Sequence, residues 1–125
     1  VQRILVVDDE PAIREMLYEL LTREGYAVEQ AGNGLDALRI HSKDPVDLVV
    51  LDILMPEMDG LEIITALRKQ GSTAKIIAIS GGGESGNLDF LVTAKHFGAH
   101  ATFEKPFRSG DLLRAIRDLL GDTDE

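Results

Sequence analysis

Ile4-Leu5-Val6-Val7-Asp8-Asp9 decides the fold once it is set beside Leu48-Val49-Val50-Leu51-Asp52. Each is a short aliphatic run, rich in β-branched residues, that stops on a carboxylate. Ile76-Ile77-Ala78-Ile79 stops in the same way on Ser80, and Ala101-Thr102-Phe103 leads through Glu104 to Lys105. Continuous apolar runs of this length, bounded by turn residues, are the pattern of strands buried on both faces, as in a parallel sheet. In an open α/β sheet the carboxyl ends of parallel strands share one edge, and ligands bind there. The sequence therefore predicts that three carboxylates (Asp8, Asp9 and Asp52), the Ser80 hydroxyl and the Lys105 ammonium meet at one place. Three adjacent carboxylates repel one another and call for a cation, while the lysine and the serine remain to meet an anion. That combination suits metal-assisted phosphoryl chemistry, and hard oxygen donors of this kind suit magnesium.

Helical patterns fill the spaces between these runs, so the chain reads as βα repeats around a parallel sheet. Pro11 opens a first helix with Ile13, Leu17, Leu20 and Leu21 inward and Gly25 beyond its end. Ala27-Val28-Glu29 is a weaker second strand. Asn33-Gly34 precedes a helix whose apolar residues are Leu35, Leu38 and Ile40. Residues 55–60, Met-Pro-Glu-Met-Asp-Gly, form a loop, and Ile63, Ile64 and Leu67 mark the next helix. Gly81-Gly82-Gly83 opens a stretch before a helix from about Leu88 to Phe97, closed by Gly98. Ser109 is placed to cap a last helix carrying Leu112, Leu113, Ile116, Leu119 and Leu120. One domain over residues 1–121 is expected, with 122–125 as a frayed acidic tail.

A chain of 125 residues and 13.7 kDa is long enough for one domain with a real core. It contains no cysteine, which rules out a disulfide framework or thiolate metal site and is compatible with a reducing compartment. No apolar run approaches the ~20 residues of a membrane span, so no membrane partner is expected and the cytoplasm is the expected location. A net charge of −9 argues against nucleic-acid binding through the general surface.

Each motif has a competing structural reading. Asp8-Asp9 could serve a helix N-terminus, and Ser80 could cap a turn. Asp52 is harder to explain that way, because no helix starts directly after it; a structural salt bridge to Lys105 is its alternative. The Lys105-Pro106 bond is a candidate cis peptide. Gly32-Asn33-Gly34-Leu35-Asp36-Ala37 fits a dinucleotide fingerprint but follows the second strand and lacks the acidic strand end that would hold a ribose. Gly81 to Gly86 has phosphate-loop spacing, but Asn87-Leu88 stand where Lys and Ser/Thr are needed. His41, His96 and His100 lack ligand spacing and read as surface or core residues.

Taken together, Val6-Val7-Asp8-Asp9-Glu10, the run from Leu51 to Gly60, Ser80 and Lys105-Pro106-Phe107 resemble the receiver domain of two-component response regulators, in order and spacing along nearly the whole chain. The resemblance implies a single doubly wound, flavodoxin-like (βα)5 domain with a five-stranded parallel sheet. It implies Asp52 as phosphoacceptor, Mg2+ held by Asp9 directly, by Asp8 mainly through water, by Asp52 and by the Leu54 backbone carbonyl, and Ser80 and Lys105 on the phosphoryl group. The implied partners are a histidine kinase or histidine phosphotransfer protein, with a downstream effector or a phosphorylation-dependent dimer as output. Thr102 departs from the family pattern, since Tyr or Phe commonly stands three residues before the lysine. Phe103, one place later, should face the other side of the strand.

Two other functions compete. A Mg2+-dependent phosphatase using Asp52 on a small metabolite would want an acid two residues after its nucleophile, where Leu54 stands, and a covering segment. A docking domain independent of phosphorylation would have no need of the acids, hydroxyl and lysine together. The chain stops about where a receiver stops, so an effector domain could follow.

Overall fold

The computed structural model describes residues 1–53, 60–81 and 87–121, and for 87–91 the backbone alone. The elements alternate as β1 (Arg3–Val7), α1 (Pro11–Arg23), β2 (Ala27–Ala31), α2 (Gly34–Lys43), β3 (Leu48–Asp52), α3 (Gly60–Lys69), β4 (Lys75–Ser80), α4 (Asn87–Phe97), β5 (Ala101–Glu104) and α5 (Ser109–Leu120). The strands form one sheet in the order β2-β1-β3-β4-β5, and every pairing is parallel. The order reverses between β1 and β3, which is where such a sheet opens a crevice at its carboxyl edge. This is the parallel α/β sheet expected from the four apolar runs, in the flavodoxin-like arrangement that the family resemblance implies.

Strand alternation divides the core into two layers. Leu5, Val7, Val49, Leu51, Ile76 and Ala78 point to the side covered by α2, α3 and α4, where Ala37, Ile63, Ile64, Leu67 and Ala94 meet them. Ile4, Val6, Leu48, Val50, Ile77 and Ile79 point to the other side, against Leu17 and Leu21 of α1 and Leu112 and Ile116 of α5. Each fully buried aliphatic side chain contributes roughly 1.5–3 kcal/mol of transfer free energy, and that burial fixes strand register. A one-residue slip would turn every core side chain to the wrong layer.

Three local expectations change. The second strand runs on to Ala31, which pairs with Val7. Leu35 is 61% exposed, and the buried face of α2 is made by Gly34, Ala37 and His41 instead, with Leu38 and Ile40 partly buried. Asn33 caps that helix by accepting the Asp36 amide at 2.9 Å. Ser109 does not cap α5: Arg108 holds the N-cap position in extended backbone without a side-chain bond, and Ser109 is the first helical residue. The Lys105-Pro106 peptide is cis.

His41 ties down the edge of the sheet opposite the strand carboxyl ends. Its Nδ1 accepts the Val46 amide at 3.1 Å, and its Nε2 lies 2.9 Å from the Ser72 hydroxyl. With Nδ1 occupied as an acceptor, a neutral ring carries its proton on Nε2 and donates it to Ser72, so the pair cannot act as a base and nucleophile. Burial holds the His41 pKa below its ordinary value. His100 accepts the Ile76 amide in the same way at 3.1 Å and is likewise lowered, by burial and then by Lys75, Arg68 and Lys95.

A base whose folded pKa is depressed is protonated first in the unfolded chain. Its stabilisation is therefore complete above the unfolded value of 6.5 and is lost as pH falls through that value toward the folded one. The urea midpoint should drop on acidification below about pH 6.5, and His41→Gln should flatten part of that drop. His41→Ala should cost about 1–3 kcal/mol at neutral pH by stranding the Val46 amide. Equilibrium unfolding at a series of pH values checks both.

Candidate functional site

Register explains how the site assembles. Val7 pairs with Leu51, so Asp8 and Asp52 follow side by side at the ends of β1 and β3. Counting outward alternately, both share the parity of Val6 and Val50, the layer under α1 and α5. Lys105 shares the parity of Ala101 and Phe103, which pack in that same layer. Its backbone amide donates to the Ser80 carbonyl at 2.8 Å, which extends the β4–β5 ladder to the site. The ammonium consequently arrives beside the acids: Lys105 Nζ lies 3.4 Å from Asp8 Oδ2, 3.7 Å from Asp52 Oδ2 and 3.3 Å from Glu10 Oε1.

Asp8 and Asp52 are nearly buried, at 3% and 6% exposure, whereas Asp9 and Glu10 are exposed. Carboxylate oxygens of Asp8, Asp9 and Asp52 lie within 4.8 Å of one another. Neither Asp8 nor Asp9 caps α1, whose N-cap is Glu10. Asp8 Oδ1 accepts the Glu10 amide at 2.9 Å, a tight turn that aims the Asp8 carboxylate at the sheet edge. Burial pushes the Asp8 carboxyl above its ordinary pKa, and the Glu10 amide and the Lys105 ammonium pull against that without cancelling it. Burial alone would lower Lys105, but the Asp52, Asp8 and Glu10 carboxylates outweigh it and hold the ammonium above its usual value.

The acid trio fits a divalent cation by the chemistry of its donors. Three hard oxygens are gathered at one edge, one of them on a carboxylate whose charge is costly without a counter-ion, and Mg2+ takes such carboxylates while keeping several waters. Ser80 is fully buried at the end of β4, on the opposite parity from the acids, with its hydroxyl donating to the Gly81 carbonyl at 3.4 Å. It therefore enters the crevice from the α3–α4 side while Lys105 enters from the α1–α5 side. The Leu54 carbonyl, expected as a further ligand, lies outside the described residues. The structural salt bridge weighed for Asp52 is present as the 3.7 Å approach of Lys105, and it is part of the same cluster rather than an alternative to it.

Thr102 sits opposite Ala78, on the layer facing α4, and Phe103 points the other way. Phe103 packs against Phe107 with ring centroids 5.9 Å apart. Among the described side chains, no aromatic takes the place of Thr102 on that layer.

Two residues at the site escape sequence reasoning. Glu10 reaches Lys105, and Arg14 Nη1 donates to the Asp8 carbonyl at 2.7 Å while lying over Gly32, where a Cβ would come within 3.2 Å of it. Arg14 falls one helical turn after Glu10, a spacing that could have flagged it.

Gly60 packs tightly against the end of β3. Its amide donates to the Ile53 carbonyl at 2.8 Å, and a Cβ there would meet the Leu51 side chain, stand 2.6 Å from Ile53 Cα and 3.0 Å from the Asp52 carbonyl oxygen. Backbone cannot yield as a flexible side chain can. Gly60→Ala should cost about 1–3 kcal/mol or more and displace the Asp52 peptide; unfolding midpoints with and without Mg2+ should both fall, and the Mg2+ increment should shrink.

Comparison with known proteins agrees with this geometry. The family model described as the response regulator receiver domain matches residues 4–117. Sporulation initiation phosphotransferase F of Bacillus subtilis (strain 168) is 39% identical over 119 residues, covering 95% of this chain and 94% of that protein. Response regulator MprA of Mycobacterium leprae (strain TN) is 39% identical over 118 residues, 94% of this chain but 50% of that regulator, so the chain spans about half its length. Among solved structures, the receiver domain of NtrX from Brucella abortus superposes with a TM-score of 0.88 at 33% identity, covering 96% of this chain and 99% of that one. A response regulator receiver domain protein from Clostridium thermocellum does so at 0.89 and 30%, covering 98% and 96%.

Proposed function

This chain belongs to the response regulator receiver domain family, and from that premise we propose that it carries signals by accepting a phosphoryl group on Asp52. The single observation that supports this most is the meeting of Asp8, Asp9 and Asp52 with one shared ammonium at the carboxyl edge of the sheet. Asp8 and Asp9, with Asp52, would hold Mg2+, which when bound neutralises the carboxylates and screens incoming phosphoryl oxygens. The Asp52 carboxylate oxygen attacks phosphorus, forming a P–O bond as the donor's P–N bond breaks and the histidine imidazole leaves. Phosphoryl transfer asks a protein for in-line positioning and charge stabilisation more than for covalent work. Lys105 supplies fixed positive charge from one side. The Ser80 hydroxyl supplies from the other a hydrogen bond that exists only once the group has arrived, and a contact made in one state alone shifts the balance between states.

The donor is a histidine kinase or a histidine phosphotransfer protein, and the reaction is placed in the cytoplasm. An apolar hollow of about 430 Å3 between α1 and the start of α5, lined by Ile13, Met16, Pro106 and Phe107 and bordered by Lys105, suits a helix that presents a phosphohistidine to Asp52. We assign output to the face of α4, β5 and α5, through a downstream protein or a phosphorylation-dependent dimer. The catalytic role is limited to the domain's own phosphorylation and dephosphorylation.

Incubation with a small-molecule phosphodonor and Mg2+, read by intact mass, should add one phosphoryl group to the wild type and none to Asp52→Asn. Equal labelling of the two proteins would refute the assignment. Mg2+ at millimolar levels should raise the melting temperature by mass action on the native state. Asp9→Asn should remove most of that increment, and an identical increment in the variant would count against the metal assignment.

A further inference from the structure

Of the three carboxylates around Lys105, the nearest belongs to a residue outside the metal-competent trio. Glu10 Oε1 lies 3.3 Å from Nζ, against 3.4 Å for Asp8 and 3.7 Å for Asp52. Glu10 stands at the N-cap of α1 with φ −92° and ψ 112°, yet its side chain makes no capping bond. Its backbone is anchored on both sides, since the amide donates to Asp8 Oδ1 at 2.9 Å and the carbonyl accepts the Arg14 amide at 3.1 Å. An anchored backbone with a side chain unused for capping leaves the carboxylate free to reach across the site. Its side chain is 62% exposed, whereas those of Asp8 and Asp52 are at 4% and 7%.

We propose that Glu10 is a positioning residue that draws the Lys105 ammonium toward solvent in the unmodified protein and competes for it with an anionic group on Asp52. This rests on the reading of Asp52 as phosphoacceptor. Before modification, Lys105 donates to Asp8 and Glu10 and stands in ion-pair range of Asp52, and the exposed member can take the ammonium without the desolvation that a buried pair demands. An anion on Asp52 offers Lys105 a stronger, charge-assisted partner in a drier place. Lys105 then leaves Glu10, whose pairing is lost. Glu10 thus stabilises the unmodified state selectively, and its charge acts through Lys105 rather than on the anion alone.

An exposed pair of this kind shifts an equilibrium by a factor of up to about five, which binding titrations resolve. The test uses beryllofluoride as the probe, titrated in saturating Mg2+ into wild type, Glu10→Gln, Lys105→Met and the double variant, with Asp52→Asn as control. Glu10→Gln should bind the probe about two- to five-fold more tightly at low ionic strength, with the gain shrinking as salt screens the exposed charge. In the Lys105→Met background the same substitution should change affinity little. Should Lys105→Met fail to fold, the 15Nζ resonance of Lys105 in the free protein carries the test, and it should move on Glu10→Gln. Unchanged or weaker binding by Glu10→Gln overturns the inference. So does a gain that persists in full without Lys105, which would mean plain repulsion between Glu10 and the anion, or an unmoved 15Nζ resonance. If the wild type takes up the probe and Asp52→Asn does not while Glu10→Gln is silent, only this inference falls. If Asp52→Asn takes it up as the wild type does, the phosphoacceptor reading falls with it.

Discussion

One ammonium shared among converging carboxylates is the interaction on which the rest of this structure depends. At an effective dielectric of about 20, two unit charges 4 Å apart interact by on the order of 4 kcal/mol, so the repulsion among Asp8, Asp9 and Asp52 is comparable to a large part of a small domain's net stability. Lys105 offsets part of it from a position with side-chain exposure of 19%. What remains is visible at Asp8, where burial still holds the carboxyl above its ordinary value despite Lys105 and the Glu10 amide. The site is thus kept short of positive charge. Its incomplete neutralisation would favour the addition of a cation.

The fold makes this arrangement possible through register and parity. Four parallel strands end at the same edge because their aliphatic residues must fill two layers, and the residue after each run inherits its direction from that packing. Asp8 and Asp52 fall on the α1–α5 side with Lys105, and Ser80 on the other. A phosphoryl group on Asp52 would then be met from two layers that pack against different helices. Ser80 ends the very strand that α4 packs upon.

Much of this was legible in the sequence because strands buried on both faces write themselves as unbroken aliphatic runs. The four runs and their polar endings led to the parallel sheet and to the convergence of Asp8, Asp9, Asp52 and Lys105. The edge strand β2 looks short in the sequence because it has one solvent-facing side, where Glu29 is exposed, and its continuation to Ala31 depends on pairing with Val7. On α2 hydrophobicity misled: Leu35 faces solvent while a glycine, an alanine and a histidine make the buried face. The histidine is buried because it satisfies the Val46 amide, a reason that no hydropathy pattern records. Glu10 and Arg14 are hidden from sequence for another cause. Glu10 meets a residue 95 positions away, and only three-dimensional register shows that Lys105 comes within its reach.

The central claim is that Asp8, Asp9, Asp52 and Lys105 form one electrostatic unit rather than four neighbours. The most direct measurement follows the aspartate side-chain 13C carboxyl and the Lys105 15Nζ resonances while Mg2+ is added to the otherwise unmodified protein. The account predicts that all four respond together, with one apparent dissociation constant, and that Asp52→Asn weakens the response of the other three. Resonances that titrate with separate constants, or a Lys105 signal that stays still while the acids move, would contradict it.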